Sequence, residues 1–263
     1  MPPEPIRSRL GHRRWTVVWE WPEASTTWRL DDPDDDPGAE DVVFVKVARA
    51  GRYPTPEAEA ARMRWATAYL PVPEVIESGS DADIGWLVTR AVPGIDATKH
   101  PWRAEPERLV PALAAGLAAF HAAAPVDSCP FDFRPETALA NARRRVREGI
   151  AEPSDLHPEH QHFGVDGALA ELERTAPAPE HLVVGHGDYC LPNVMLGPAG
   201  DVTGYVDLGE LAVVDRWSDI AVGAWSVTWN LGEGWEPLFY EAYGVAPDEQ
   251  RIAFYRLLYD LTS

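Results

Sequence analysis

Residues 183–196, VVGHGDYCLPNVML, set two apolar strand-like ends around His186, Gly187, Asp188 and Asn193. A chain that puts a carboxylate and a carboxamide between two core-seeking segments must carry them on a short elbow, because burying a charge without a partner is costly. Asp188 closes one strand and precedes a Pro-containing loop. Backbone holds it on both sides, so it can reach a substrate hydroxyl as a base. Asn193 opens the next strand, and its amide carbonyl is the kind of hard oxygen that Mg²⁺ accepts alongside phosphate oxygens. A second element of this kind is GYVDLGEL, residues 204–211, where Asp207 closes an apolar strand and Gly209 permits a tight turn. A carboxylate there is stable only against a cation, which pairs Asp207 with Asn193 as candidate metal ligands.

Lys46 lies in VVFVKVA, residues 42–48. Strand alternation puts it on one face with Phe44, and Val45 and Val47 on the other. Only two of the 23 basic residues are lysines, Lys46 and Lys99, so a lysine inside a β-branched run invites a specific use. A counter-charge from Glu57 or Glu59 on the following helix would serve it, and so would the phosphates of a nucleotide. The alternative is an edge-strand lysine whose stem packs while its head stays in water. Taken together, a base Asp, a metal-binding Asn and Asp, and a phosphate-binding Lys paired with a helix Glu are the parts of kinase-type phosphoryl transfer.

The remaining sequence supplies the frame. Residues 14–21, 26–30, 41–48 and 83–94 read as strands and residues 55–70 as a helix, with Thr55 as N-cap and Pro56 in the first turn. After Gly94 the pattern turns helical, at 103–123, 135–150, 165–175, 217–231, 235–243 and 248–260, with a short hairpin inserted around the HGD segment. This predicts an α+β fold of two lobes, small and β-rich (1–92), then larger and mainly helical (93–263), with a hinge at about 90–95. The acidic run DDPDDDPGAE, residues 31–40, reads as a solvated loop, since its prolines and missing terminal Glu spoil a calcium site. HPEHQH, residues 157–162, lacks fixed helical spacing for zinc, Cys190 lacks an orienting third group for thiol catalysis, and His121 on its apolar helix reads as a packed core residue. Four tryptophans, Trp217, Trp225, Trp229 and Trp235, are read as core, with a stacking wall for a sugar ring as the alternative.

A net charge of −19 speaks against nucleic acid; it would attract a cationic small molecule, or equally serve only to keep the chain in solution. Without an apolar leader or a spanning segment, and with two cysteines, the chain is expected to be cytoplasmic, to have no membrane partner, and to be a monomer or weak dimer.

These motifs resemble the aminoglycoside phosphotransferase family, and most of all its 3'-phosphotransferases. HGDYCLPNVML matches the family's HGD-x4-N loop, GYVDLGELAVVDRWSDIA its I-D-x-G-R-x-G-x-A-D-R-x-x-D-I-A segment, and RIAFYRLLYDL its C-terminal helix. GIAEPSDLHPEHQ, LPVPEVIE and WLVTRAVPG extend the likeness over nearly the whole chain. The resemblance implies a protein-kinase-like fold and transfer of the γ-phosphate of ATP or GTP to an aminoglycoside hydroxyl, the 3'-hydroxyl, conferring resistance. It implies Asp188 as catalytic base or orienting carboxylate, Asn193 and Asp207 as Mg²⁺ ligands, and Lys46 with Glu59 on the phosphates. It further implies Phe44 against the adenine, Arg90 to Val92 as the stretch that binds the base, and His186 as a support for the loop.

Two departures from the family pattern stand out. The phosphate-covering turn, residues 20–30, has no glycine, which leaves Ser25, Thr26 or Thr27 to offer donors. The acidic acceptor site is thinned: Asp155, Glu159, Glu233 and Asp260 remain, Asn230 stands where a charge is common, and the terminal aromatics are replaced. A kinase of another hydroxylated metabolite or antibiotic, or a nucleotide-binding homologue without catalysis, are the alternatives these departures leave.

Overall fold

The computed structural model describes residues 4–21, 24–31, 42–51 and 53–263; most of the acidic run read above as a loop, and Pro22 and Glu23 of the glycine-free turn, lie outside them. The chain divides into two compact units, Met1–Pro93 with Thr203–Glu210, and Gly94–Val202 with Leu211–Ser263.

The first unit is built on an antiparallel sheet of β1 (Arg14–Trp21), β2 (Ser25–Asp31), β3 (Val43–Arg49), β4 (Val75–Ser80) and β5 (Ile84–Arg90), in the order β1-β2-β3-β5-β4. Alternation along β2, β3 and β5 turns Trp28, Leu30, Val43, Val45 and Val88 to one face, where Ile6 of α1 (Glu4–Leu10) closes the core. Lys46 therefore emerges on the opposite face of a central strand, between Thr27 on β2 and Leu87 on β5. Helix α2 (Pro56–Ala66) starts where Thr55 Oγ1 accepts the Ala58 N–H at 3.1 Å, and its buried face carries Glu59, Ala60, Met63 and Ala66.

In the second unit the helices are α3 (Pro106–Ala123), α4 (Pro135–Arg147), α5 (Gly164–Thr175), α6 (Trp217–Leu231), α7 (Glu236–Tyr243) and α8 (Glu249–Thr262). Prolines in the first turn open α3, α4 and α7, and Asp248 caps α8 by accepting the Arg251 N–H at 3.1 Å. Helix α6 packs on α8 and α3 on α7, burying Leu113, Leu117, Phe120, Trp225, Phe239, Phe254 and Leu258. The strands on either side of the HGD segment do not pair with each other. Instead β7 (Leu182–Gly185) pairs with β10 (Ala212–Asp215), and β8 (Val194–Leu196) lies between β6 (Ile95–Asp96) and β9 (Val202–Tyr205) in a three-stranded sheet, so the short hairpin runs from β8 to β9. Residues 186–193 are spent on a loop and one 3₁₀ turn, so nothing short enough to fold β8 back onto β7 remains. Strand β9 (Val202–Tyr205) leads into the segment that returns to the first unit, where the Tyr205 N–H meets Pro71 O at 3.0 Å. No helix among the described residues is long and apolar enough to cross a membrane.

Candidate active site

The loop after β7 is fixed by a carboxylate from the first turn of α6. Asp219, 1% exposed, accepts the His186 N–H at 2.7 Å on Oδ2 and the Gly187 N–H at 2.9 Å on Oδ1. His121 of α3 places Nε2 3.0 Å from Asp219 Oδ2 and Nδ1 2.8 Å from the Tyr243 hydroxyl. Since a carboxylate only accepts, Nε2 carries the proton and Nδ1 accepts from the tyrosine. Burial works to raise the Asp219 pKa, but the hydrogen bond from His121, with His186 and the Gly187 N–H, outweighs it and holds the acid below its ordinary value. Gly185 makes room: a Cβ there would lie 2.6 Å from Asp219 Oδ2 and 2.3 Å from Val214 Cγ2. His186 is fully buried, with Phe120 and Tyr189 rings 5.7 and 5.9 Å away, and its Nδ1 accepts the Asp188 N–H at 3.3 Å.

That scaffold presents Asp188 with both carboxylate oxygens engaged. Asn193 Nδ2 donates to Oδ2 at 2.8 Å and to the Asp188 backbone carbonyl at 3.0 Å, while the Tyr259 hydroxyl of α8 donates to Oδ1 at 2.9 Å. Burial first, then the neighbouring Cys190 and Asp188, push the Tyr259 pKa far up, so it stays a donor. Cys190 is raised too, by burial and then by Asp188, so it is a thiol and not a ready nucleophile. The Asn193 carbonyl Oδ1 lies on the other side of its amide from these bonds, and is a hard oxygen of the type Mg²⁺ takes.

The first unit holds its own charge cluster. Lys46 Nζ sits 2.8 Å from Glu59 Oε2 and 2.7 Å from Asp207 Oδ1. Glu57 is not part of it; it accepts from Ser80 Oγ at 2.7 Å. Burial would lower the Lys46 pKa, but the charges of Glu59 and Asp207 raise it above the ordinary lysine value. Glu59, with its side chain 3% exposed, is raised by burial and by Asp207, against the pull of Lys46. Asp207 is the one non-glycine with positive φ among the described residues, at 59°. Aspartate tolerates this region better than most, yet it costs about 1 kcal/mol or more, and such costs gather where a side chain must be aimed. Phe44 shares the Lys46 face and is half-buried. Ser25 and Thr26 open β2 opposite Trp21 and Glu20. Arg90 ends β5 in an ion pair with Glu74 at 3.0 Å, the Ala91 N–H bonds Val42 O at 2.9 Å, and Val92 packs so closely on Gly204 that a Cβ there would lie 2.9 Å from Val92 Cβ.

No group of three or more His, Cys, Asp or Glu among the described residues could hold a metal by itself. Mg²⁺ needs none, since one or two protein oxygens with phosphate oxygens and waters complete its shell. The Asn193 amide carbonyl in the second unit and the Asp207 carboxylate in the first are each oxygen donors of that kind.

The acceptor candidates are dispersed in character. Asp155, Glu159 and Glu233 are exposed, and Asp155 Oδ2 accepts the Glu152 N–H of its own loop at 2.8 Å. Asn230 donates back to Ser226 O at 2.8 Å. Asp260 is 6% exposed and accepts the His157 N–H at 2.8 Å, with His160 Nδ1 2.7 Å from the same oxygen. Sequence reasoning missed Asp219 and Tyr259. An Asp in the first turn of an apolar helix was the available signal for Asp219; for Tyr259 there was none, because its use depends on where α8 lies.

A β-sheet unit with a Lys–Glu–Asp cluster and a helical unit with an HGD-x4-N loop define a phosphotransferase of the protein-kinase-like type. The chain belongs to the phosphotransferase enzyme family known as APH, whose model matches residues 23–255. It is 37% identical over 266 residues to an aminoglycoside 3'-phosphotransferase of Streptomyces fradiae, covering 96% of this chain and 97% of the relative. Among solved structures it is similar to an aminoglycoside-3'-phosphotransferase of type VIII, with TM-score 0.87, 34% identity, and 98% and 96% of the two chains covered. It is also similar to APH(3'')-Id from Streptomyces rimosus in complex with ADP and streptomycin, at TM-score 0.78 and 28% identity over 98% and 96% of the chains.

Proposed function

We propose that this phosphotransferase moves the γ-phosphate of a nucleoside triphosphate, ATP or GTP, to the 3'-hydroxyl of an aminoglycoside and so confers resistance. The observation that carries the reading is the doubly held Asp188, with Asn193 on one carboxylate oxygen and Tyr259 on the other. A carboxylate fixed in this way aims its remaining lone pairs, so it can orient an alcohol and take its proton as the O–P bond forms. Lys46, paired with Glu59, serves the nucleotide's phosphates, with Ser25 and Thr26 as further donors, Phe44 beside the base, and Arg90 to Val92 along its edge. Asn193 and Asp207 supply oxygens to Mg²⁺, which when bound neutralises phosphate charge. Asp155, Glu159, Asn230 and Glu233 are the polar residues assigned to the acceptor side, and Asp260 holds the His157 loop beside them. Near-complete coverage of a 3'-phosphotransferase at 37% identity supports the choice of acceptor.

The test is ADP release coupled to a dye assay, with kanamycin or neomycin and either nucleotide. The parent is expected to turn over, and Asp188→Asn to lose activity by about 10³-fold or more while keeping its nucleotide affinity. An acceptor lacking the 3'-hydroxyl should be inert. Parental turnover by Asp188→Asn would remove the assignment.

A further inference from the structure

The surface next to Asp188 is aromatic. Tyr259, whose hydroxyl bonds Asp188 Oδ1 at 2.9 Å, has its ring 6.5 Å from that of Trp229. Trp229 and Trp225 are one turn apart on α6, with ring centroids 4.6 Å apart, and His157 sits 4.4 Å from Trp225 and 5.9 Å from Trp229. The two tryptophans differ sharply in burial. Trp225 is 1% exposed and carries the Arg256 guanidinium 5.4 Å over its ring, whereas Trp229 is 41% exposed. Trp225 is a core residue; Trp229 is held rigidly by its neighbours yet shows part of its indole to solvent.

The same stretches that build this wall were expected to supply acid. Asp260, next to Tyr259, is buried and spends its carboxylate on the His157 N–H and on His160. It thereby clamps His157 against the tryptophans and cannot meet a ligand without releasing them. An indole exposed on a rigid base favours the C–H-rich face of a saturated ring, or a cation over its π-face. Tyr259 connects this platform to the carboxylate that must meet a hydroxyl, and sugar and aminocyclitol rings carry both an apolar face and hydroxyls at their rim.

We propose that Trp229 is the acceptor platform of this chain: a sugar or cyclitol ring stacks on its indole, and Tyr259 sets the ring's hydroxyl against Asp188. The proposal rests on the acceptor class argued above. Binding on this side then depends on ring stacking more than on paired carboxylates.

The test compares Trp229→Ala and Trp229→Phe with the parent in steady-state kinetics and in calorimetric titration of kanamycin without nucleotide. Trp229→Ala should raise the acceptor KM and Kd about tenfold while nucleotide KM stays within about twofold, and Trp229→Phe should recover most of the loss. Thermal melting near the parent's keeps the comparison free of misfolding, and Phe serves if Ala does not fold. An unchanged acceptor KM and Kd in Trp229→Ala, with Asp188→Asn still inactive, overturns the platform and leaves the aminoglycoside reading standing. No phosphorylation of any aminoglycoside by the parent overturns both. If the Trp229→Ala effect disappears with a fully N-acetylated acceptor, the indole holds an ammonium and ring stacking is wrong.

Discussion

Asp219→Asn isolates the clamp on the HGD loop. In the parent, Oδ2 receives the His186 N–H at 2.7 Å and His121 Nε2 at 3.0 Å, and Oδ1 receives the Gly187 N–H at 2.9 Å. Asparagine keeps one acceptor oxygen. Its better orientation retains the two donors on the Oδ2 side and turns an NH₂ toward the Gly187 N–H. The variant therefore loses one bond to a charged acceptor, leaves a buried donor unmatched, and weakens the acceptor of the His121 Nε2–H. Bonds to charged groups contribute roughly 1.5–3 kcal/mol each and a buried donor left unmatched costs about 1–3 kcal/mol, so a loss of about 3 kcal/mol is expected. For a unit of about 160 residues that corresponds to a fall in Tm of roughly 6–12 °C. The pH dependence has a definite sign. The folded pKa of Asp219 is depressed, so its contribution is complete above the ordinary aspartate pKa and is lost only as pH falls through the folded value. The Tm gap between parent and variant should be flat from pH 5 to pH 8 and close only in stronger acid. Scanning calorimetry across that range checks this, and turnover at 25 °C should fall with the loosened loop. A variant that melts within about 2 °C of the parent at pH 7 with full turnover would refute the clamp. Gly185→Ala, which drives a methyl into Asp219 and Val214, should be destabilising in the same assay.

Tyr259→Phe removes one of the two donors on Asp188; with saturating acceptor, kcat should fall roughly 10–100-fold, the equivalent of about 1.5–3 kcal/mol, and an unchanged kcat would mean that Asn193 alone orients the carboxylate. Lys46→Met takes from the buried Glu59 and from Asp207 the cation bonded to both, at a cost of about 3 kcal/mol. Because Glu59 is already raised by burial, losing Lys46 raises it further, and a carboxyl raised in the folded state destabilises where it is charged. The Tm deficit of Lys46→Met should thus be larger at pH 8 than at pH 5, and equal deficits at the two would show that Glu59 does not sense Lys46. Glu57→Gln, altering an exposed residue bonded to Ser80, should leave nucleotide KM and melting near the parent's.

What could be read from the sequence was what local pattern controls. Alternation in residues 42–48 separates Val43 and Val45 in the core from Phe44 and Lys46 on the other face. Thr55 and Pro56 mark the start of α2, which fixes Glu59 on its buried side at the height of Lys46. What escaped depended on partners far along the chain. Strands of three or four residues carry too little pattern to reveal that β7 pairs with β10 and β8 with β6. The C-terminal acid shows the limit most clearly. By position in the motif, Asp260 reads as a ligand for a cationic acceptor, but a side chain on the inner face of α8 beside a histidine loop has a better use as an acceptor for His157 N–H and His160. Its neighbour Tyr259, turned about 100° away on the helix, is the residue of α8 that reaches Asp188. With a hydroxyl on Asp188 and an exposed Trp229 indole beside it, the proposed platform predicts that acceptor selection follows the shape of the ring more than its count of ammonium groups.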